Sequence, residues 1–541
     1  MTSKRRADAP PATKKTRTGP SSYHVADNHY GGHWPVTRRL ESPLNFLHEC
    51  PWKIPTEKNR IKHFDPVQIS QDALQTQVIV HPKLQPLITA FLHYKQAHGS
   101  DIEKSLYANM SQHDLVSRLI LNRCLHFVQA HDYTVLRDGT ILPYGHDEWM
   151  RVGTDEEAVN DHIFLEDYLS YDEMMLASML GTSGPTHFIN AGHRNNRALI
   201  DSSIPHQDRG ITIGLVGARF AAPGQMDHII CGLAQHWHGE RLQDPGLTKI
   251  FREVFDPDYD EETFEEGKLN EKIYKSRIQL TIETALLEAD DRAAAEGTTA
   301  HVFLPGLGLG VWRVSDIQIK WYFQALFDSL AWLDLKHVTS LECGWEQLTR
   351  WPDLEAILKA IGDARGIKVI IGSQRPPCGK LETEELLVRV WAWDGNSLPG
   401  NEYWSGGMCL TSSDDPAAAC NSTIAELHNP WVNPFARKIK VLLERERRHS
   451  KYVVAEREQH APPPALKSSD STDFPTLDEI RAAIPADGID AKSLIMIFKS
   501  RVAGRTAEFI RLVKMAARQS NDPATRGKVV PKEEEDGEGA E

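Results

Sequence analysis

The sequence predicts an α/β fold with a largely parallel central sheet. Short runs rich in β-branched and large apolar residues occur at 211–220, 300–306, 337–344, 368–373 and 386–393. Two longer stretches, 111–131 and 270–297, have the apolar spacing of amphipathic helices. Strands that alternate with helices indicate a layered α/β architecture, whose ligands gather at the carboxyl ends of the strands.

The helix predicted at 270–297 has the clearest limits. Its apolar residues include Ile273, Ile278, Ile282 and Leu286, and Gly297 supplies a stop signal. This helix would cover one face of the predicted sheet.

Composition divides the chain into six predicted segments. They are a disordered basic tail (1–22), a mostly helical extension packed on the main domain (23–150), the main α/β domain (151–455), a linker (456–473), a small helical domain (474–531) and an acidic tail (532–541). The basic tail has little to bury, and the linker contains three consecutive prolines.

Charge and cysteine content exclude several classes of protein. The 541 residues carry a formal net charge of −14, and the acidic middle of the chain does not resemble a DNA-binding surface. Seven cysteines form no Cys-x-x-Cys pair, which argues against a zinc ribbon, and no metal site is predicted. No apolar run of about eighteen residues occurs, so we expect no membrane partner.

A glycine-rich stretch follows the strand predicted at 300–306. In VFLPGLGLGVW the glycines alternate with leucines, and a long amphipathic helix follows. Such glycines let backbone N–H groups surround an anion, and a helix N-terminus adds its dipole. The absence of a lysine favours a diphosphate held by backbone groups, whereas the alternative is a tight turn whose glycines serve packing alone. The candidate binding residues are Gly306, Leu307, Gly308, Leu309, Gly310, Val311 and Trp312.

Two weaker signals lie upstream. Asn190, Ala191 and Gly192 end a short apolar run, where small residues admit a ligand and the amide offers a donor and an acceptor to ribose hydroxyls. An Asn-rich loop is also typical of ordinary turns. Arg219 lies near the end of the run predicted as a strand at 211–220 and is either a phosphate ligand or a structural arginine.

Four acids follow the strand predicted at 386–393, namely Asp394, Glu402, Asp414 and Asp415. Flanking Gly, Pro and Asn residues place these carboxylates on loops. Loop carboxylates at the carboxyl end of a strand suit general acid and base catalysis, and cleavage of a glycosidic bond uses a pair of them. The alternative is that Asp394 and Asp414 only form Asx turns.

Six stretches together resemble the macrodomain-related ADP-ribosylhydrolases typified by the bacterial effector MavL. They are FINAGHRNN, VGARF, YKSRIQLTIETALLEA, VFLPGLGLGVW, WAWDGNSLPGNEYW and DDPAAACNSTI, within about residues 150–435. The resemblance implies a macrodomain-like three-layer α/β/α fold with a mixed, largely parallel sheet that binds ADP-ribose. It also implies hydrolysis of the N-glycosidic bond between ADP-ribose and protein arginine, with ubiquitin as a candidate target and no cofactor.

The same resemblance implies roles for single residues. The acidic catalytic cluster falls on Asp394, Glu402 and either Asp414 or Asp415, and the second acid of the cluster can be Asp in the family. Asn190 would face the distal ribose, and residues 306–310 would wrap the diphosphate. Residues 151–455 would then form the hydrolase domain.

Residues 474–531 resemble the C-terminal winged-helix domain of the large subunit of the transcription initiation factor TFIIF. The resemblance rests on LDEIRAAIPADGIDAKSLIMIFKSRV and EFIRLVKMAA, and it implies a protein-docking module. KRR at 4–6 and KKTR at 14–17 resemble a bipartite nuclear localisation signal, the alternative being a solvated basic tail. We therefore expect a nuclear or cytoplasmic protein.

The sequence leaves two hypotheses for function. In the first, the chain is a hydrolase that releases ADP-ribose from modified arginine. In the second, it is a reader that binds ADP-ribose without turnover in a nuclear or transcription-associated adaptor, and its acids are turn residues. A purely structural role in transcription would rest on residues 474–531 alone.

Overall fold

The computed structural model describes most of residues 60–443 and a few stretches beyond them. The described ranges are 60–127, 134–143, 145–193, 199–220, 223–233, 243–344, 351–372, 375–401, 423–443 and 477–484, with 494, 513, 517–519 and 529–531. The chain divides into two compact units, residues 1–446 and 447–541. The predicted limits of the six segments stay predictions.

The first unit combines helices with strands throughout. Its described strands are β1 (Gln77–Val80), β2 (Thr134–Val135), β3 (Ile141–Leu142), β4 (Gly181–His187), β5 (Arg209–Leu215), β6 (Ala300–Leu304), β7 (Val338–Cys343), β8 (Lys368–Ile371), β9 (Leu386–Ala392) and β10 (Ile439–Val441). Its described α-helices are α1 (Pro66–Gln75), α2 (Leu84–His98), α3 (Asp101–Tyr107), α4 (Gln112–Leu121), α5 (Glu148–Arg151), α6 (Tyr171–Ala177), α7 (Met226–Ile230), α8 (Pro245–Phe255), α9 (Glu271–Glu296), α10 (Ile317–Trp332), α11 (Pro352–Arg365) and α12 (Ile424–Leu427). Short 3-10 helices lie at Ile61–His63, Glu157–Val159 and Pro434–Arg437.

Eight of these strands form one mixed sheet in the order β10-β1-β4-β5-β9-β6-β7-β8. The strands from β5 to β8 in this order are all parallel, and β10 is parallel to β1, whereas β4 is antiparallel to both of its neighbours. The predicted α/β fold with a mixed, largely parallel sheet is therefore confirmed. The five predicted strand runs correspond to β5 through β9, whereas β1, β4 and β10 have no counterpart among these runs.

Side chains of β4 show that each face of the sheet is covered. The Ser183 hydroxyl donates to Glu288 of α9 at 2.7 Å. The neighbouring Thr182 hydroxyl lies 2.9 Å from Nδ1 of His428, which directly follows α12. Because successive side chains of a strand point to opposite faces, α9 and the α12 segment lie on opposite sides of the sheet.

The two predicted helices differ in how well their limits agree with the structure. α9 begins after Asn270, whose side chain accepts a hydrogen bond from the Ile273 amide, and it ends before Gly297 with a φ of 68°. The helix predicted at 111–131 is wrong for residues 122–127, because α4 ends at Leu121, and residues 128–131 lie outside the described residues. Beyond that point Cys124 forms a β-bridge to Ser397, so tertiary pairing replaces the helix.

The described part of the second unit contains helix α13 (Leu477–Ala482) and a two-stranded antiparallel sheet of β11 (Ala517–Gln519) and β12 (Val529–Pro531). The winged-helix assignment stays a prediction. Among the residues with described positions, no helix has both the length and the apolar content that crossing a membrane requires.

Candidate active site

Three loops meet at one edge of the sheet. They follow β5, β9 and β6 and comprise residues 216–220, 393–401 and 305–312. These three strands are mutually parallel neighbours, so their carboxyl ends lie side by side. The Trp393 amide donates to the carbonyl of Leu215 at 2.9 Å, which ties the start of the loop after β9 to the end of β5. Such an edge is the usual position of a ligand site in α/β folds.

The loop after β9 is folded around the Asp394 carboxylate. Its Oδ1 accepts hydrogen bonds from the amides of Asn396 at 2.8 Å and Ser397 at 3.1 Å. Its Oδ2 accepts from the Ser397 hydroxyl at 2.8 Å and from the Asn401 side-chain amide. Asp394 is only 7% exposed, so its four acceptor positions are used inside the protein. The Asx-turn alternative therefore describes the geometry of Asp394.

The turn that begins at Asp394 is fixed against the rest of the domain. The Leu398 amide donates to the carbonyl of Cys124 at 2.8 Å. Gly395 has a φ of 72°, and a Cβ at this position would lie 2.9 Å from Cα of Ser178. A side chain at Gly395 is thus excluded both by backbone conformation and by space.

The glycine-rich loop after β6 packs its backbone against the loop after β5. Gly308 has a φ of 79°, and a Cβ there would lie 2.8 Å from both N and O of Ala218. A Cβ on Gly217 would lie 2.2 Å from the carbonyl carbon of Leu307. Gly217 and Gly308 are therefore required by packing, as one of the two sequence interpretations expects.

The outer part of the same loop retains groups that can bind an anion. Gly310 and Val311 are exposed, and nothing lies within 4 Å of a Cβ built on Gly310. The backbone N–H groups of Gly308, Gly310, Val311 and Trp312 have no hydrogen-bond acceptor within the described ranges. Neighbouring free amides of this kind form anion-binding concavities.

The helix after the loop contributes less to anion binding than the sequence suggests. α10 begins at Ile317, seven residues beyond Gly310. The amides of Val314 and Ser315, which precede the helix, both donate to Oε1 of Gln318, at 2.7 and 2.8 Å. The Gln318 side chain therefore holds the turn that precedes α10. The first amides of α10 donate to Ser315 and Asp316, so they are not free to bind an anion at the glycine loop.

Arg219 connects the glycine loop with the Asp394 turn. Its Nη1 donates to the carbonyl oxygen of Asp394 at 2.6 Å, and its guanidinium carbon lies 4.9 Å from the centre of the Trp312 ring. Trp312 also packs against the buried cluster of Val216, Trp391, Trp393 and Ile424. A completely buried arginine thus contacts both sides of the site.

A second buried arginine, Arg123, lies near the same acid. The guanidinium carbon of Arg123 lies 4.2 Å from the centre of the Trp393 ring, and Nη2 donates to the carbonyl of Ala177 at 3.3 Å. Burial lowers the pKa of Arg123 to about 9, although the charge of Asp394 opposes this shift. Burial also raises the pKa of the neighbouring Cys124 thiol, which makes that thiol inert near neutral pH.

The predicted site residues fall into three groups. Asp394 and the residues from Gly306 to Trp312 lie at the same edge of the sheet. Glu402, Asp414 and Asp415 lie outside the described residues.

The third group, Asn190, Ala191 and Gly192, is not brought to that edge. These residues follow β4, and His187 at the end of β4 pairs with Arg209 at the start of β5. The seven residues of β5 separate the two edges by roughly 20 Å at about 3.3 Å per residue. The Asn190 side chain forms a turn by accepting from the Gly192 amide at 2.8 Å, and a Cβ on Gly192 would lie 3.1 Å from Sγ of Cys378.

Several charged residues of the site were not identified from the sequence. Asp227 of α7 accepts a hydrogen bond from the Arg219 amide at 2.6 Å and lies 3.2 Å from Nε of Arg277 on α9. Burial raises the pKa of the Asp227 carboxyl, although Arg277 opposes the shift. Arg277 could have been found from the sequence, because it lies next to the apolar residue Ile278 in a predicted helix. Arg123 has no comparable signal.

The described residues contain no group of three or more His, Cys, Asp or Glu side chains that could hold a metal ion. The edge instead combines free amides for an anion, a buried acid and stacked arginine and tryptophan side chains. These groups suit a ligand with a negatively charged diphosphate and planar or cationic parts.

The fold and this edge define an α/β protein whose site is suited to a phosphate-containing ligand. Residues 44–240 and 246–445 match the family described as ADP-ribosylhydrolase MavL-like. The chain belongs to this family and is an ADP-ribosylhydrolase, so the family resemblance seen in the sequence is confirmed. The matched residues stop short of the region that resembles a winged helix.

Two relatives from Drosophila melanogaster are similar over most of this range. The protein named ADP-ribosylarginine hydrolase CG3568 is 33% identical over 387 residues, which are 66% of this chain and 75% of the relative. The protein named ADP-ribosylarginine hydrolase CG2909 is 29% identical over 401 residues, which are 68% of this chain and 78% of the relative.

Proposed function

We propose that this chain hydrolyses the N-glycosidic bond between ADP-ribose and arginine side chains of a modified protein, with ubiquitin as one candidate target. The observation that carries the proposal is the meeting of the glycine loop and the Asp394 turn at one sheet edge, with Arg219 in contact with both. The names of the two relatives support arginine as the linkage.

In the proposed reaction, the free amides of the glycine loop bind the diphosphate, and the acids lie beside the bond to arginine. Water attacks the anomeric carbon of the distal ribose while a carboxylate takes a proton from the water. The carbon–nitrogen bond breaks, and the leaving guanidine nitrogen receives a proton. Glu402 and one of Asp414 or Asp415 are the proposed proton-transferring carboxylates, and Asp394 is the third acid of the cluster.

We assign to Asp394 the role of positioning the loop. Proton transfer is assigned to the other acids. All four acceptor positions of Asp394 are engaged by Asn396, Ser397 and Asn401. Because these hydrogen bonds use the carboxylate, its contacts suit holding the turn and not activating the attacking water. Glu402 directly follows Asn401 in the chain, so the Asp394 turn leads into the next proposed acid.

The reader hypothesis keeps one supporting observation. A carboxylate fully used in a turn needs no catalytic role, and the Asp394 carboxylate is used in this way. Under that hypothesis the glycine loop binds ADP-ribose and nothing is released.

The discriminating experiment compares peptides that carry ADP-ribose on arginine with peptides that carry it on glutamate. We expect free ADP-ribose to be released from the arginine-linked peptide alone. Asp394→Asn should greatly slow this release while ADP-ribose binding remains. Release from the glutamate-linked peptide alone would contradict the proposed linkage, and a wild-type protein that binds ADP-ribose without any release would establish the reader.

Asp72→Asn is the matched control for loss of a buried acid. Asp72 is fully buried on α1 and binds Arg209 through contacts of 2.7 and 3.0 Å, at the opposite edge of the sheet. This variant should lose stability but keep the wild-type kcat. A docking role of residues 474–531 and a nuclear or cytoplasmic location are further proposals, which rest on the sequence resemblances alone.

A further inference from the structure

A buried ionic network supports the edge where the glycine loop and the Asp394 turn meet. Arg277 of α9 is completely buried and lies 3.2 Å from Oδ1 of Asp227 through its Nε. Its Nη2 donates to the carbonyls of Val216 and Gly217, at 3.3 and 3.1 Å. The same Nη2 lies 3.3 Å from the carbonyl of Ser178, the residue against which Gly395 is packed.

The network continues from Asp227 to Arg219. Oδ2 of Asp227 accepts the hydrogen bond of the Arg219 amide at 2.6 Å, which fixes the main chain of Arg219. The residue before Asp227, Met226, has a φ of 52° and is buried, which is an unusual conformation for a residue with a side chain. Strained backbone of this kind persists only where the surrounding contacts hold it, and it is concentrated at functional sites.

The side chain of Arg219 then contacts two different loops. Nη1 donates to the main-chain oxygen of Asp394, and the guanidinium stacks on Trp312. The hydrogen bond is to the backbone of Asp394, so it fixes the position of the turn without using the carboxylate. The stacking contact involves the residue that ends the row of free amides in the glycine loop.

We propose that Arg219 is a positioning residue that couples the diphosphate loop to the acid turn, a role that rests on the proposed function. A ligand bound to residues 306–312 restrains Trp312, and through Arg219 it further restrains the turn from Asp394 to Asn401. The Asp394 turn is thereby held in one arrangement when the diphosphate is bound. Arg219 itself does not touch the reacting atoms.

Arg219→Lys tests the coupling because lysine keeps the charge but has neither the planar fork nor the stacking surface of arginine. We expect kcat on an arginine-ADP-ribosylated peptide to fall on the order of 10²-fold, as small misplacements of catalytic groups do. The affinity for free ADP-ribose, measured by calorimetry, should fall far less, because the amides of the glycine loop remain.

A second readout does not depend on activity. Hydrogen exchange followed by mass spectrometry reports the order of the segment from Asp394 to Asn401 with and without ADP-ribose. In the wild type, ADP-ribose should slow exchange in this segment. In Arg219→Lys the bound ligand should no longer slow it. If wild-type protein releases no ADP-ribose, the proposed hydrolase function fails, but the exchange experiment still decides the coupling.

Trp312 provides the partner variant. Trp312→Leu should lower kcat, and the combination with Arg219→Lys should lower it no further, because both changes break one connection. Trp312→Phe keeps an aromatic face for the guanidinium and should restore most of the activity.

Arg118→Lys is the matched control for loss of a buried arginine. Arg118 lies on α4, binds Glu173 at 2.6 Å and donates to the carbonyl of Tyr168 at 2.9 Å, away from the described site loops. It should lower the unfolding temperature without changing kcat. The coupling is refuted if Arg219→Lys keeps the wild-type kcat and ligand-dependent exchange, or if its effect multiplies with that of Trp312→Leu.

Discussion

At the scale of single residues, Asp394 is both buried and fully hydrogen-bonded. Its donors come from the next seven residues of the chain, so the carboxylate organises the loop that carries it. Replacing such an acid changes the loop as well as the chemistry. A loss of activity in an Asp394 variant therefore has to be compared with ADP-ribose binding before it is assigned to catalysis.

A different single residue, His428, contributes to the dependence of stability on pH. It follows α12, lies 2.9 Å from the Thr182 hydroxyl, and burial lowers its pKa from 6.5 to about 3. Below pH 6.5 the unfolded chain binds a proton on this side chain that the folded protein does not bind. The stability contributed by the neutral form is complete above that pH and is lost progressively as the pH falls toward about 3.

We therefore expect His428→Gln to reduce the acid sensitivity of folding. Between about pH 7 and about pH 4.5 the wild type should lose roughly 2 kcal/mol more unfolding free energy than the variant, as measured by urea titration. His93→Gln, at an exposed position on α2, should behave like the wild type. Equal losses in His428→Gln and the wild type would show that His428 does not carry this dependence.

At the scale of elements, the glycine loop has an inner part that packs and an outer part that is free. Gly308→Ala places a Cβ 2.8 Å from the Ala218 backbone and forces a φ of 79° on alanine. We expect it to lower the unfolding free energy by about 2 kcal/mol and to weaken ADP-ribose binding. Gly310→Ala meets nothing within 4 Å and should leave the unfolding free energy nearly unchanged. Denaturant titration and calorimetry measure both quantities, and equal stability of the two variants would contradict the packing argument.

The elements also show which parts of the site local sequence can predict. β6 with its glycine loop and β9 with Asp394 were recognised because short apolar runs end in turn-forming residues. The role of Asn190 was inferred from the same kind of pattern, yet β4 runs antiparallel to β5 and ends at the other edge. Strand direction is decided by pairing between distant segments, which local composition does not encode. The contacts of Arg219 with Asp394 and Trp312 depend on such pairing as well.

At the scale of the whole molecule, one edge of the eight-stranded sheet is built from strands β1 and β10, which lie far apart in the sequence of the first unit. β1 pairs with β10 and with β4, and Ile79 of β1 is completely buried. The α/β class was predictable from the alternation of strands and helices. The pairing of residues 77–80 with residues 439–441 was not, because it joins parts of the chain that are far apart in sequence.

The pairing of β1 with β10 and β4 predicts how the chain tolerates truncation. A chain of residues 44–446 contains the whole family match and every strand of the eight-stranded sheet. It should fold and release ADP-ribose from an arginine-linked peptide with the wild-type kcat/KM. A chain of residues 84–446 lacks β1, the strand that lies between β10 and β4 in the sheet. Without β1 both neighbours lose a pairing partner, so this chain should fail to fold.

Circular dichroism, size-exclusion chromatography and the release assay distinguish these results for the two truncated chains and the full-length protein. If residues 447–541 dock the modified protein, their removal should raise KM for a protein substrate while leaving the peptide reaction unchanged, because the peptide makes no contact beyond the site. A 44–446 chain that folds but does not hydrolyse the peptide would instead assign part of the reaction to the second unit. Normal folding of the 84–446 chain would show that β1 is dispensable, which its complete burial argues against.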